Sequence, residues 1–157
     1  MVVGKFLITV LFGFMTLLAS SHVFAQEDVI EKRKALMKAS NAAVSKSIKE
    51  AVEQKDYATI EIKAKEIMGN LEKAGALFPK GSTSDKSRAH PDVWEKPDEF
   101  KKSLTKAIKA AEALSKAAGA KNEAEVIVTV KELGNTKEGA CGDCHKVFRS
   151  DFRKAKE

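Results

Sequence analysis

Tyr57, Ile60, Ala64, Ile67, Leu71 and Ala74 recur at alternating spacings of three and four. Only an α-helix with one buried face satisfies that period. Asp56 stands directly before the stripe as an N-cap, so the spacing predicts a helix over 57–74. Three further segments follow the same rule. Ile30, Met37, Val44 and Ile48 mark a stripe within 28–54, with Asp28 and Glu31 as its starting cap pair. Phe100, Leu104, Ala107, Ala111 and Leu114 mark another, which begins at Pro97 and ends at Gly119. A fourth starts at Asn122, with Glu125 three residues on.

That fourth segment contains Val126-Ile127-Val128-Thr129-Val130, a strand by propensity. A single strand has no partner in an otherwise helical chain, and Val126, Val130 and Leu133 keep helical spacing, so helix is expected. Cys141, Cys144, Phe148 and Phe152 continue the stripe, with Gly134 and Gly139 as bends. The first pair of helices and the last pair are joined by very short loops. Residues 75–96 form the one long connection, with Asp92–Glu95 as a single helical turn inside it. The expected fold is all-α, an antiparallel up-down-up-down four-helix bundle.

The first 25 residues belong to a different argument. Lys5, an apolar run from Phe6 to Leu18 and the Val23-x-Ala25 site have the form of a cleaved secretory signal peptide. The run is too short for the roughly 20 residues that a bilayer core requires. Residues 26–157 then form one domain, exported to the periplasm, with no membrane span. Removing one lysine from the formal charge of +6 leaves 27 basic against 22 acidic side chains, or +5. Lys and Glu alternate along the chain, and no aromatics interleave with the basic residues. This pattern suits solvated helix faces and argues against nucleic acid. A modest basic surface can steer an acidic partner.

Cys141-Gly142-Asp143-Cys144-His145 holds both cysteines of the chain and one of its three histidines. Two thiols three apart can add to the two vinyl groups of one porphyrin, and the next imidazole can meet the iron. A redox dithiol is the alternative, but it normally opens a helix after a strand. A zinc site needs four ligands, and a disulfide here closes a tiny loop with little entropic gain. Covalent haem is the favoured reading. No nucleophile–base pair points to an enzyme.

A single haem-attachment motif near the C-terminus of an exported four-helix chain resembles the class II cytochromes c, the cytochrome c-prime family. The similarity rests on the Cys-x-x-Cys-His-x-x-Phe-Arg run from Cys141 to Arg149 and on Arg33-Lys34-Ala35-Leu36-Met37-Lys38. Leu77-Phe78-Pro79 and Pro91-Asp92-Val93-Trp94 add to it. The resemblance implies one covalent haem c held by Cys141 and Cys144, with His145 as proximal iron ligand. It implies Arg33 and Arg149 beside the propionates, Trp94 and Phe148 in the haem pocket, and Met37 at the distal position. His90 is expected as an exposed loop histidine.

Two functions follow from Met37. If its sulfur binds iron, a six-coordinate His/Met haem suits electron transfer to redox partner proteins. If it only packs over the haem, the protein is a five-coordinate cytochrome c-prime that binds a small gas such as NO. The family also implies a possible homodimer through the first two helices, where Ala42, Ala43, Ala51 and Ala58 allow close approach.

Overall fold

The computed structural model describes residues 27–153; the expected signal peptide lies outside them. Helix α1 spans 27–53. Asp28 sits inside it rather than capping it, and its carboxylate accepts from Lys32 Nζ at 2.6 Å. The middle of α1 widens to π geometry over Ala43–Ile48 before α-helical Lys49–Glu53. Ser40 and Ser45 each donate to the carbonyl four residues back, Leu36 at 3.0 Å and Asn41 at 2.7 Å. Such back-bonding loosens a helix turn. The extra residue shifts the buried register, so Ala43 is followed by Ile48 and Ala51 on the core face.

A three-residue turn with Lys55 at φ 56° leads to α2, Tyr57–Gly75. Asp56 caps it, accepting from the Thr59 amide at 3.1 Å and the Thr59 hydroxyl at 2.6 Å. Ile60, Ala64, Ile67, Leu71 and Ala74 are all buried, as the spacing requires. The long connection contains the short helix α3, Asp92–Glu95, and α4 runs over Pro97–Gly119. Another tight turn, with Lys121 at φ 53°, leads to α5, Glu123–Leu133. Asn122 and Glu125 cap it reciprocally: Asn122 Oδ1 accepts from the Glu125 amide, and Asn122 Nδ2 donates to the Glu125 carboxylate.

The Val-Ile-Val run is helical. Val126, Thr129 and Leu133 face the core, while Ile127 and Val128 are 43% and 53% exposed. Helical period and tertiary burial outweigh a local propensity worth under about 1 kcal/mol. The chain then breaks fully at Gly134, where a bend was expected. Residue 134 takes φ 62°, ψ −164°, and a new helix α6, Gly139–Phe148, begins. Among the described residues, α4 packs against α2, α5 and α6, and α2 packs on the π segment of α1. The rods α1, α2, α4 and the α5–α6 pair form the four-helix bundle. Its core is built largely of Ile, Leu, Val and Ala, the last allowing close helix approach.

Candidate haem-attachment site

The motif helix α6 is shaped by what lies just before it. The 134–138 loop folds back onto the helix so closely that a Cβ on Gly142 would stand 2.3 Å from the Lys137 carbonyl carbon. A Cβ on Gly134 would stand 2.0 Å from the Glu138 carbonyl oxygen. Glycine is required at both positions by close backbone approach, and at Gly134 also by positive φ. Gly142 is the first spacer residue of the motif, so its side is closed by the loop. The second spacer, Asp143, points to solvent, where its carboxylate accepts from Lys106 at 2.9 Å and Lys146 at 3.5 Å. These two ammonium groups, Lys106 first, hold its pKa below the usual carboxylate value.

Cys141 and Cys144 lie one helical turn apart on a shared face. Both are half-buried free thiols, and Cys141 packs against the core. Burial pushes the Cys141 thiol up to about 11; burial and its neighbour push Cys144 up to about 12. Burial therefore disfavours the thiolate at both positions. Among the described residues no group of three or more His, Cys, Asp or Glu side chains could hold a metal ion. His145 is half-buried, and burial followed by the nearby Arg149 charge lowers its pKa. A neutral imidazole is the form that ligates a metal. Two neutral thiols on one face with a neutral imidazole directly after them fit thioether attachment and axial ligation.

The C-terminal end of α6 is strapped to the long connection. The Ala89–Arg149 pair forms an antiparallel bridge, with the His90 amide donating to the Phe148 carbonyl and the Ser150 amide to the Arg88 carbonyl, both at 2.9 Å. The helix ends there because Arg149 is extended, at φ −128°, ψ 123°, so the expected stripe does not run on as one helix. His90 is half-buried, not exposed as expected. Its Nδ1 lies 3.2 Å from the Asp92 amide and 3.4 Å from the buried Asp92 carboxylate.

Arg33 and Trp94 come together at the other end of this connection. Arg33 is only 4% exposed. Its Nη1 donates to the Leu77 carbonyl at 3.0 Å and the Ser82 hydroxyl at 2.7 Å. Its Nη2 donates to the Ser82 carbonyl at 2.6 Å and the Ser87 hydroxyl at 2.8 Å. All four Nη hydrogens are thereby used. The guanidinium lies 4.5 Å from the Phe78 ring centroid and 6.0 Å from that of Trp94. Trp94 Nε1 in turn donates to the Phe78 and Pro79 carbonyls at 3.2 and 2.9 Å. Phe78, Phe100 and Phe148 continue as edge-to-face pairs at 4.9 and 5.3 Å, reaching α6. Sequence reasoning missed Ser82 and Ser87; a polar loop gives no sign of which helix it will clasp. Arg149 is placed differently, with Nη2 donating to Asp151 at 2.7 Å.

The family model for cytochrome c′ matches residues 28–149. This chain belongs to the cytochrome c′ family. A cytochrome c′ of Pararhodospirillum photometricum is 35% identical over 127 residues, covering 78% of this chain and 97% of that one. Cytochrome c-556 of Rhodopseudomonas palustris is 28% identical over 148 residues, covering 90% and 95%. Among solved structures, a cytochrome c′ described as having ligand-controlled dimer dissociation superposes with a TM-score of 0.70 at 25% identity. That match covers 80% of this chain and 96% of the other. Proteins of the cytochrome c′ family are non-enzymatic and carry one covalent haem c. The agreement of fold, motif position and family makes one outcome specific. Acid–acetone extraction of the purified protein should leave the haem on the polypeptide, and mass spectrometry should find the haem adduct. Haem in the organic layer, or only the apo mass, would refute covalent attachment.

Proposed function

We propose that this class II cytochrome c is a periplasmic electron carrier, exported by a signal peptide over 1–25, with residues 26–157 as its working domain. Cys141 and Cys144 would hold the haem, and His145 and Met37 would ligate its iron. The observation that carries the reading is Met37 itself. It is a half-buried thioether on the core face of α1, one turn after Arg33. The Leu36-Met37-Lys38 run resembles the six-coordinate branch of the family. Met68 has similar burial but lies on α2 without that likeness. His90 is held beside Asp92, which makes it a poorer candidate.

When bound, haem supplies a one-electron iron couple. The chain supplies the rest. His145 is kept neutral by burial and by Arg149. A thioether opposite an imidazole raises the potential and limits change between oxidation states. Arg149, which donates to Asp151, is the second candidate partner for a propionate. Arg33 would have to release the loop to join it. Phe148 and Trp94 would complete the apolar wall. No helix among the described residues is long and apolar enough to cross a membrane.

The second reading is a five-coordinate, gas-binding cytochrome c′. It is favoured by the ligand control attributed to the dimeric relative, and a homodimer of this chain is proposed under either reading. An absorption spectrum of the ferric holoprotein at neutral pH separates the two. Low-spin bands with a weak feature near ~700 nm are expected for His/Met ligation. A high-spin spectrum would remove the electron-carrier reading and install the gas-binding one.

A further inference from the structure

The charge of this chain is unevenly distributed along its sequence. Residues 26–100 hold equal numbers of basic and acidic side chains. Residues 101–157 hold 13 basic against 8 acidic, which accounts for the whole +5 beyond residue 25. On the folded chain part of this excess gathers at the motif helix. Lys102, Lys106 and Lys109 follow one another at spacings of four and three, so they share one face of α4. All three are exposed, and α4 packs directly against α6. Lys106 reaches across to Asp143, which Lys146 also approaches from within α6. Asp143 is the exposed residue between the two anchor cysteines in sequence, so the lysines gather on the solvent side of the motif helix. The next acid along the α4 face, Glu112, is neutralised by Lys116 at 2.6 Å. Asp98 and Glu99 bound the strip at its start.

We infer that this lysine strip, with Asp143 at its centre, is the docking surface for an acidic redox protein. The inference rests on the electron-carrier reading. A field of one sign beside the redox centre steers an oppositely charged partner and orients it with the centre at the contact. The embedded carboxylate favours a protein partner over an anionic lipid surface. A lipid sheet offers only negative charge, whereas a protein can offer a cation to Asp143 and so fix the register. Among the described residues the exposed large hydrophobics, Ile62, Ile127 and Val128, lie on α2 and α5. The strip therefore carries no apolar side chain to insert into a bilayer.

The test uses small charged reagents on the holoprotein. Oxidation of ferrous protein by hexacyanoferrate(III) should be fast at low ionic strength and slow as salt rises. Oxidation by tris(phenanthroline)cobalt(III) should show the opposite trend. Lys106→Glu/Lys146→Glu should lower the hexacyanoferrate rate about tenfold at low salt and raise the cobalt rate. A control pair of equal charge change on α1 and α2, Lys46→Glu/Lys73→Glu, should change either rate less than twofold. Equal effects in both double variants would mean that net charge alone acts, and would overturn the docking surface. So would binding to phosphatidylglycerol vesicles that the strip reversal abolishes while the reagent rates stay unchanged. The spin state of the wild-type spectrum reports on the electron-carrier reading separately, so the two can fail independently.

Discussion

Arg33→Met should lower folding stability by about 3 kcal/mol, measured as a shift in denaturant midpoint at constant slope. Methionine keeps much of the apolar stem and removes the fork. Four acceptors then lose their donor: the Leu77 and Ser82 carbonyls and the Ser82 and Ser87 hydroxyls. Each bond to a charged donor is worth about 1.5–3 kcal/mol, and the simple sum would be far larger. Two effects reduce it. Burial pulls the Arg33 pKa below the ordinary arginine value, so removing the cation also relieves a desolvation cost. Water can enter a loop that lies at the surface and satisfy part of what is lost. The cation–π contacts to Phe78 and Trp94 add to the loss. Ser82→Ala should cost less, about 1 kcal/mol, because its carbonyl still accepts. An Arg33→Met protein as stable as wild type would show that the loop does not depend on this clamp.

The clamp also explains what could and could not be read in advance. Helices with a regular stripe were legible, because Ile60, Ala64, Ile67 and Leu71 leave one way to bury themselves. Caps were legible where a side chain answers its own backbone, as at Asp56 and Asn122. At Asp28 the same pattern misled, because a carboxylate near a helix start can serve an i+4 lysine instead. The π segment was invisible: Ala43, Val44 and Ile48 fit an α stripe nearly as well as a π one. The haem motif was legible as chemistry, but its setting was not. Nothing local to Gly142 reveals that the Lys137 carbonyl group will lie against it. The reach of Arg33 over 49 residues to Ser82 likewise depends on the tertiary path of a polar loop. An arginine spaced on an apolar stripe with Ile30 and Met37 was the available sign that its charge would be buried.

Met37→Ala carries the largest expected change of all, since it decides what the protein can bind. In the proposed electron carrier the thioether occupies the sixth iron position, so CO or NO must displace it first. Alanine has no donor and leaves space above the haem face. The variant should lose the weak band near ~700 nm, shift to high spin and bind CO rapidly. Its midpoint potential should fall, because a thioether stabilises the ferrous state more than water does. Folding should also suffer, by about 2–3 kcal/mol, for a half-buried methionine truncated to alanine. Met37→Leu separates the two effects. It keeps most of the packing, and so most of the stability, yet it should show the same high-spin spectrum. If Met37 only packs over the haem, the wild type is already high-spin, and leucine leaves both spectrum and CO binding nearly unchanged. A low-spin spectrum that survives Met37→Leu would point elsewhere, and Met68→Leu would then be the variant that abolishes it.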